Sequence, residues 1–186
     1  GEIRRLLRAR RRELAAARDL TADGAALAEH LLADPPAGWP GADPGTAPTT
    51  VLSYESLPHE PPTAAVNTAL QSAGHRVLVP ITLPDMQLEW CDLADPDRTP
   101  LGIDSPTRAD LVLTPALAVD TDGTRLGQGG GCYDRVLPML AEGTPFVVLL
   151  HPGEVTDEPL PAEIEAQRTA RRRPLWDGPA SEDLGL

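Results

Sequence analysis

Five of the nine residues from Gly123 to Gly131 are Gly, and neither a helix nor a strand propagates well through so dense a run. The wider segment, D-G-T-R-L-G-Q-G-G-G-C-Y-D-R over residues 122–135, therefore reads as a loop held by the elements on either side. Glycine tolerates positive φ and carries no Cβ, so successive backbone amides can converge on an anion. Arg125 and Arg135 add charge-assisted donors that match phosphate oxygens. Cys132 to Leu140 reads as a helix, which would place the glycines at a helix N-terminus, where unpaired amides and the macrodipole favour a phosphate. A flexible Gly-rich turn is the plain alternative, and the ordered Arg, Tyr, Asp and Arg around it weigh against that.

The rest of the chain supplies the frame for such a loop. Ile3 to Ala17 reads as a helix, with Ile3, Leu6, Leu7 and Leu14 at helical spacing and Arg4, Arg8 and Arg11 or Arg12 on another face. Thr21 to Leu32 is a second helix with Thr21 as N-cap, and residues 34–48 are a Pro-, Gly- and Asp-rich loop. Thr50 to Tyr54 is a strand, Pro62 to Ala73 a helix ended by Gly74, and Arg76 to Val79 a strand stopped by Pro80. That is a βαβ unit, so its strands should run parallel. Leu88 to Leu93 adds an edge strand or hairpin, Asp110 to Leu113 a buried strand, Val119 to Gly123 a hairpin, and Phe146 to Leu150 a last strand. The expected fold class is α/β: a single-domain, open, mainly parallel sheet flanked by helices, with an N-terminal helical pair. Ligands of such sheets gather at the carboxyl ends of the strands. The domain is expected to span 1–170, with 171–186 as a partly disordered tail.

Composition narrows the function. The formal net charge is -12 and all 16 basic residues are Arg, which makes the chain a poor partner for nucleic acid and excludes lysine Schiff-base chemistry. The charge is uneven, because residues 1–18 hold seven Arg against two Glu. No stretch approaches the roughly 20 apolar residues of a membrane span, and no signal-peptide pattern opens the sequence. Cys91 and Cys132 form neither a disulfide framework nor a zinc spacing. A cytoplasmic monomer without membrane partners is the expectation.

The segment 122–135 resembles the signature of the 5-formyltetrahydrofolate cyclo-ligases, also called 5,10-methenyltetrahydrofolate synthetases, in which G-x-R-L-G-x-G-x-G-Y-Y-D forms the ATP-binding loop. Only the first Tyr of that pattern differs, being Cys132 here, which removes an aromatic wall and a hydroxyl. The resemblance implies ATP contacts from Arg125, Leu126, Gly127, Gln128, Gly129, Gly130, Gly131, Cys132 and Tyr133. It implies more from Arg4 and Arg8, which match a Lys-x-x-x-Arg pair on the family's first helix. It further implies that Glu60 binds the pterin of the folate, that Tyr133 lies near the substrate, and that Asp134 helps to hold Mg²⁺. Each has a structural alternative: a solvated helix face for Arg4 and Arg8, capping carboxylates for Glu60 and Asp134, and a core position for Tyr133. Asp120 and Asp122 read as hairpin-turn residues, and the four His show no metal spacing.

One departure concerns the second Mg²⁺ ligand of the family, the Asp of a His-Asp or Asn-Asp pair that follows a Val-Pro or Leu-Pro. After Leu160-Pro161 the matching pair is Glu165-Ala166, so Glu163 or Glu165 would have to substitute. The activity implied is cyclisation of 5-formyltetrahydrofolate to 5,10-methenyltetrahydrofolate with release of ADP and phosphate. No side-chain nucleophile is required; Arg125 and Asp134 would act as charge stabilisers. Two other readings stand beside it: a nucleotide- or folate-binding relative that lost catalysis, and a sugar-phosphate isomerase or acyl-CoA transferase of related architecture.

Overall fold

The strand at the centre of the fold, β1 (Thr50–Leu52), has Val51 and Leu52 fully buried, on opposite faces of a sheet that is covered on both sides. A computed structural model describes residues 1–160, so Glu163, Glu165, Ala166 and the expected tail at 171–186 lie outside the described residues. The sheet is completed by β2 (Arg76–Thr82), β3 (Leu88–Asp92), β4 (Leu111–Pro115) and, near the end, β7 (Phe146–Leu149), in the order β3-β2-β1-β4-β7. β2, β1, β4 and β7 pair in parallel, and β3 is an antiparallel edge. The α/β expectation holds, as does the βαβ unit through α3 (Ala64–Ser72).

Alternation along the strands builds two apolar layers. Val51, Val77, Val79, Leu111 and Leu113 face Leu27, Leu31, Val66 and Leu70, the last four from α2 (Leu20–Ala33) and α3. Leu52, Leu78, Val112 and Phe146, joined on the same face by Trp90 of β3, pack against Val136 of α4 (Cys132–Val136). Each such Leu or Val, taken fully out of water, contributes about 1.5–3 kcal/mol before conformational entropy is subtracted. A second sheet of order β6-β5-β8 adds β5 (Ala118–Asp120), β6 (Arg125–Leu126) and β8 (Val155–Thr156), the first two forming the expected hairpin.

Several local expectations are corrected. Thr21 is not the cap of α2: Asp19 is, its carboxylate accepting from Ala22 N at 3.1 Å. Pro80 does not end β2, which continues to Thr82. Pro80 lies past the last pairing with β1, Leu52↔Leu78, and opposite Trp90, whose carbonyl is taken by Leu101 N, so no ladder bond needs the missing N–H. The helix from Cys132 does not reach Leu140. It stops at Val136 and passes into a 3-10 turn over Leu137–Met139, because Pro138 cannot continue an α-helical ladder. Five helical residues carry a small dipole, so any anion at the glycine loop depends on the amides and the arginines themselves.

The hairpin between β5 and β6 is pinned by Asp120, as the turn reading anticipates. Its Oδ1 accepts from Asp122 N and Thr124 N, and its Oδ2 from Leu160 N at 2.9 Å. Burial alone would raise this carboxyl, but the amide hydrogen bonds from Leu160, Thr124 and Asp122 outweigh it and hold the group below its ordinary value. The depressed folded-state value means that its stabilisation is complete above the unfolded value of about 3.9 and lost as pH falls through the folded one. Asp120→Ala is expected to cost about 1–3 kcal/mol at neutral pH, shrinking on acidification below about pH 4. Denaturant unfolding at the two pH values checks it, and an equal loss at both would contradict the assignment.

Candidate functional site

The chain reverses its direction of progress through the sheet between β1 and β4, and in open sheets of this kind ligands enter a crevice outside the carboxyl ends of the strands at such a point. Tyr54 and the turn carrying Glu60 follow β1, Pro115 and Ala116 end β4, and His151 and Glu154 follow β7. Helix α1 (Glu2–Ala16) lies across these ends through one face. Arg4, Arg8 and Arg11 are spaced i, i+4 and i+7; Arg4 and Arg8 reach the glycine loop, and Arg11 reaches Ala116 after β4 and Glu154 after β7. Arg12, the alternative to Arg11 from periodicity, is exposed.

The glycine loop follows β6. Arg4 Nε donates to the carbonyl of Gly127 at 3.0 Å, and Arg8 donates to the carbonyl of Gln128 at 2.6 Å and to its Oε1 at 2.9 Å. These bonds end on oxygens, and among the described residues the amides of 127–131 donate to no acceptor. Gly129 (φ 109°) and Gly131 (φ 67°) hold backbone conformations that L side chains rarely adopt. A Cβ on Gly129 would also come within 3.4 Å of Arg4 Nε. Gly129→Ala is therefore expected to strain the loop by about 1–3 kcal/mol. Thermal unfolding checks this; an unchanged unfolding temperature would contradict it.

Behind the loop sits Arg125. Its side chain is 4% exposed; Nη2 donates to Asp134 Oδ1 at 3.0 Å and Nη1 to the Pro115 carbonyl at 3.3 Å, while Nε is buried without a partner among the described residues. Burial pulls its pKa down and the charge of Asp134 pushes back, and an arginine in such a pair stays a cation. The guanidinium also stands 5.9 Å from the centre of the Tyr133 ring. Arg125 thus supports the loop from beneath and orients Asp134, whose side chain is 18% exposed. Arg135 turns outward, donating to the carbonyl of Asp85 in the β2–β3 turn. Met86 of the same turn, at φ 66°, packs over Gly130, and Cys132 lies half-buried beside it.

On the other side of the crevice Glu60 is 5% exposed, and its Oε2 accepts from Leu57 N at 2.8 Å. It does not cap α3, whose N-cap is Thr63; the Thr63 hydroxyl is bonded instead to the Tyr54 carbonyl. The capping alternative for Glu60 therefore fails. The phenol oxygens of Tyr54 and Tyr133 are buried with no partner among the described residues. Burial, then the negative charge of Glu60, drives the Tyr54 hydroxyl well above its usual range. Burial raises Tyr133 too, against the opposing charge of Arg125. Both stay protonated donors. Orphaned donors cost free energy unless something in the crevice accepts from them. Tyr54 and Glu154 are site-side residues that pattern reasoning does not single out, and it places Arg11 on the face of Arg4 and Arg8, with Arg12 as alternative, without a role.

The sequence pattern of the 5-formyltetrahydrofolate cyclo-ligase family matches residues 1–166. A 5-formyltetrahydrofolate cyclo-ligase from Mycolicibacterium smegmatis is 34% identical over 131 residues, covering 61% of this chain and 67% of that protein. Its counterpart in Escherichia coli K12 is 29% identical over 103 residues, covering 47% and 57%. In fold, a 5,10-methenyltetrahydrofolate synthetase from Mycoplasma pneumoniae is similar with a TM-score of 0.66 at 20% identity, over 86% of this chain and 92% of that one. One from Aquifex aeolicus gives 0.60 at 18%, over 87% and 84%. With both its sequence and its fold matched, the chain belongs to the 5-formyltetrahydrofolate cyclo-ligase family and is a ligase that converts 5-formyltetrahydrofolate to 5,10-methenyltetrahydrofolate.

Proposed function

We propose that the ligase reaction is driven by ATP with Mg²⁺, the triphosphate resting on the amides of Gly127 to Gly131 and the pterin ring lying against Glu60. The observation that carries this reading is the loop itself: glycine-only backbone angles, amides without acceptors among the described residues, and Arg4 and Arg8 at its rim. Leu126, Gln128, Cys132 and Tyr133 complete the lining. The formyl oxygen of the folate attacks the γ-phosphate, displacing ADP; nitrogen 10 then closes on the activated carbon and phosphate departs. Phosphoryl transfer of this kind depends on positioning and charge neutralisation more than on a protein nucleophile.

The residues fit Mg²⁺ in one way. Among the described residues no three His, Cys, Asp or Glu side chains converge as a cage. Mg²⁺ commonly takes one or two carboxylates and completes its shell with phosphate oxygens and water, and Asp134 offers Oδ2 while Arg125 holds Oδ1. When bound, the ion neutralises phosphate charge. Around it Arg125 fixes the carboxylate, Arg4 and Arg8 supply cationic donors, and Glu60 accepts from the pterin edge, a charge-assisted pairing if the ring is protonated. The proposed setting is a monomer in the cytoplasm, without nucleic-acid or membrane partners. It draws on the charge of -12 and on the absence, among described residues, of a helix long and apolar enough to cross a membrane.

The deciding assay follows methenyl-folate absorbance. A rise that requires both ATP and Mg²⁺ is expected. No rise, with either ligand still bound in calorimetry, would make the chain a binding relative, and turnover of another substrate without ATP would favour isomerase-type chemistry.

A further inference from the structure

The deepest of the three arginines on α1 meets no part of the glycine loop. Arg11 grips Glu154 with both arms of its fork, Nε to Oε1 and Nη2 to Oε2, each at 2.7 Å, and Nη2 also donates to the carbonyl of Ala116 at the end of β4. Both side chains are 4% exposed. Glu154 Oε2 accepts in addition from His151 N at 2.8 Å. His151 Nε2 lies 2.9 Å from the carbonyl of His59, a bond that requires the Nε2–H tautomer, and His59 directly precedes Glu60. One short series of contacts thus runs from α1 to the turn carrying Glu60.

A buried ion pair of this kind is a poor device for stability, since desolvation offsets most of its attraction and an apolar pair of similar volume often serves as well. It is a good device for register. A planar fork has one seat on a carboxylate, whereas an aliphatic contact tolerates sliding by fractions of a turn. Arg8 and Arg4 extend from the same helix face, and where their guanidinium groups fall over Gln128 and Gly127 depends on how far α1 is advanced along its axis.

We propose that Arg11 and Glu154 form a positioning pair that sets the register of α1 over the glycine loop and, through His151 and the His59 carbonyl, the placement of Glu60, so that both substrate seats are referred to one buried anchor. This rests on the assignment of nucleotide to the loop and folate to Glu60.

The test is steady-state kinetics with both substrates, alongside thermal unfolding, on Arg11→Met/Glu154→Leu and on His151→Ala. The double variant is expected to unfold near the wild-type temperature yet to show a KM for ATP raised on the order of tenfold, the size of effect that small displacements of positioning groups produce. His151→Ala is expected to raise the KM for folate about fivefold and leave that for ATP within about twofold. Wild-type KM values for ATP in the double variant would overturn the register role, and an unchanged folate KM in His151→Ala would overturn the link to Glu60. Should the double variant not fold, Arg11→Lys decides: it keeps the charge and loses the fork, so a raised KM for ATP supports the proposal and an unchanged one refutes it. Wild-type protein that never saturates with ATP would instead refute the underlying site assignment.

Discussion

Asp134→Ala is expected to be the most damaging single substitution at the site. It strands the Arg125 cation, whose side chain is 4% exposed and whose Nη2 has Asp134 as its partner at 3.0 Å. Removing one member of a buried pair typically costs about 3–5 kcal/mol, because the remaining charge keeps its desolvation penalty and loses its compensation. The same change deletes the carboxylate proposed for Mg²⁺, so kcat should fall by about 10²–10³-fold, as when a preorganised charge-stabilising group is lost. Asp134→Asn separates the two effects. Its amide oxygen can still accept from Arg125, which should restore much of the unfolding temperature without restoring turnover. A variant of either kind with wild-type kcat and unaltered Mg²⁺ dependence would contradict the assignment.

The second large effect is expected at Glu60. Glu60→Gln preserves the side-chain oxygen that accepts from Leu57 N, so the turn should stay folded. What disappears is the negative charge facing the crevice. A hydrogen bond to a charged partner contributes about 1.5–3 kcal/mol, and kcat/KM for the folate should therefore fall about 10–150-fold, with the KM for ATP unmoved. A parallel loss for both substrates would mean that Glu60 acts through the architecture of the crevice. The neighbouring phenols of Tyr54 and Tyr133 carry buried hydroxyls without partners among the described residues, a cost that a bound ligand with acceptor groups would relieve.

Much of this arrangement is legible in the sequence, and the reasons differ by element. The glycine loop is legible because its chemistry is local: no other residue takes φ 109° at Gly129 without strain. The parallel strands are legible because buried runs such as Leu111 to Leu113 between turn residues have few other uses. The end of α4 was misplaced by periodicity, although Pro138 marked it. Pro80 misled in the opposite sense, since whether a proline breaks a strand depends on whether a neighbour needs its N–H, a tertiary fact. β8 spans two residues and has no periodic signal to detect. Arg125 illustrates the limit for sites. Its motif position suggests a phosphate ligand, and only the fold shows it buried beneath the loop, holding Asp134. The pairing of Arg11 with Glu154, 143 residues apart in the chain, is likewise invisible until the helix is docked.

The central claim is that phosphate oxygens occupy the backbone cradle of residues 127–131. A crystal structure with a non-hydrolysable ATP analogue and Mg²⁺ tests it most directly. The account predicts the β- and γ-phosphates within hydrogen-bonding distance of those amides, flanked by Arg4 and Arg8, with Asp134 turned toward the ion. Analogue bound elsewhere while that cradle holds only solvent would contradict it.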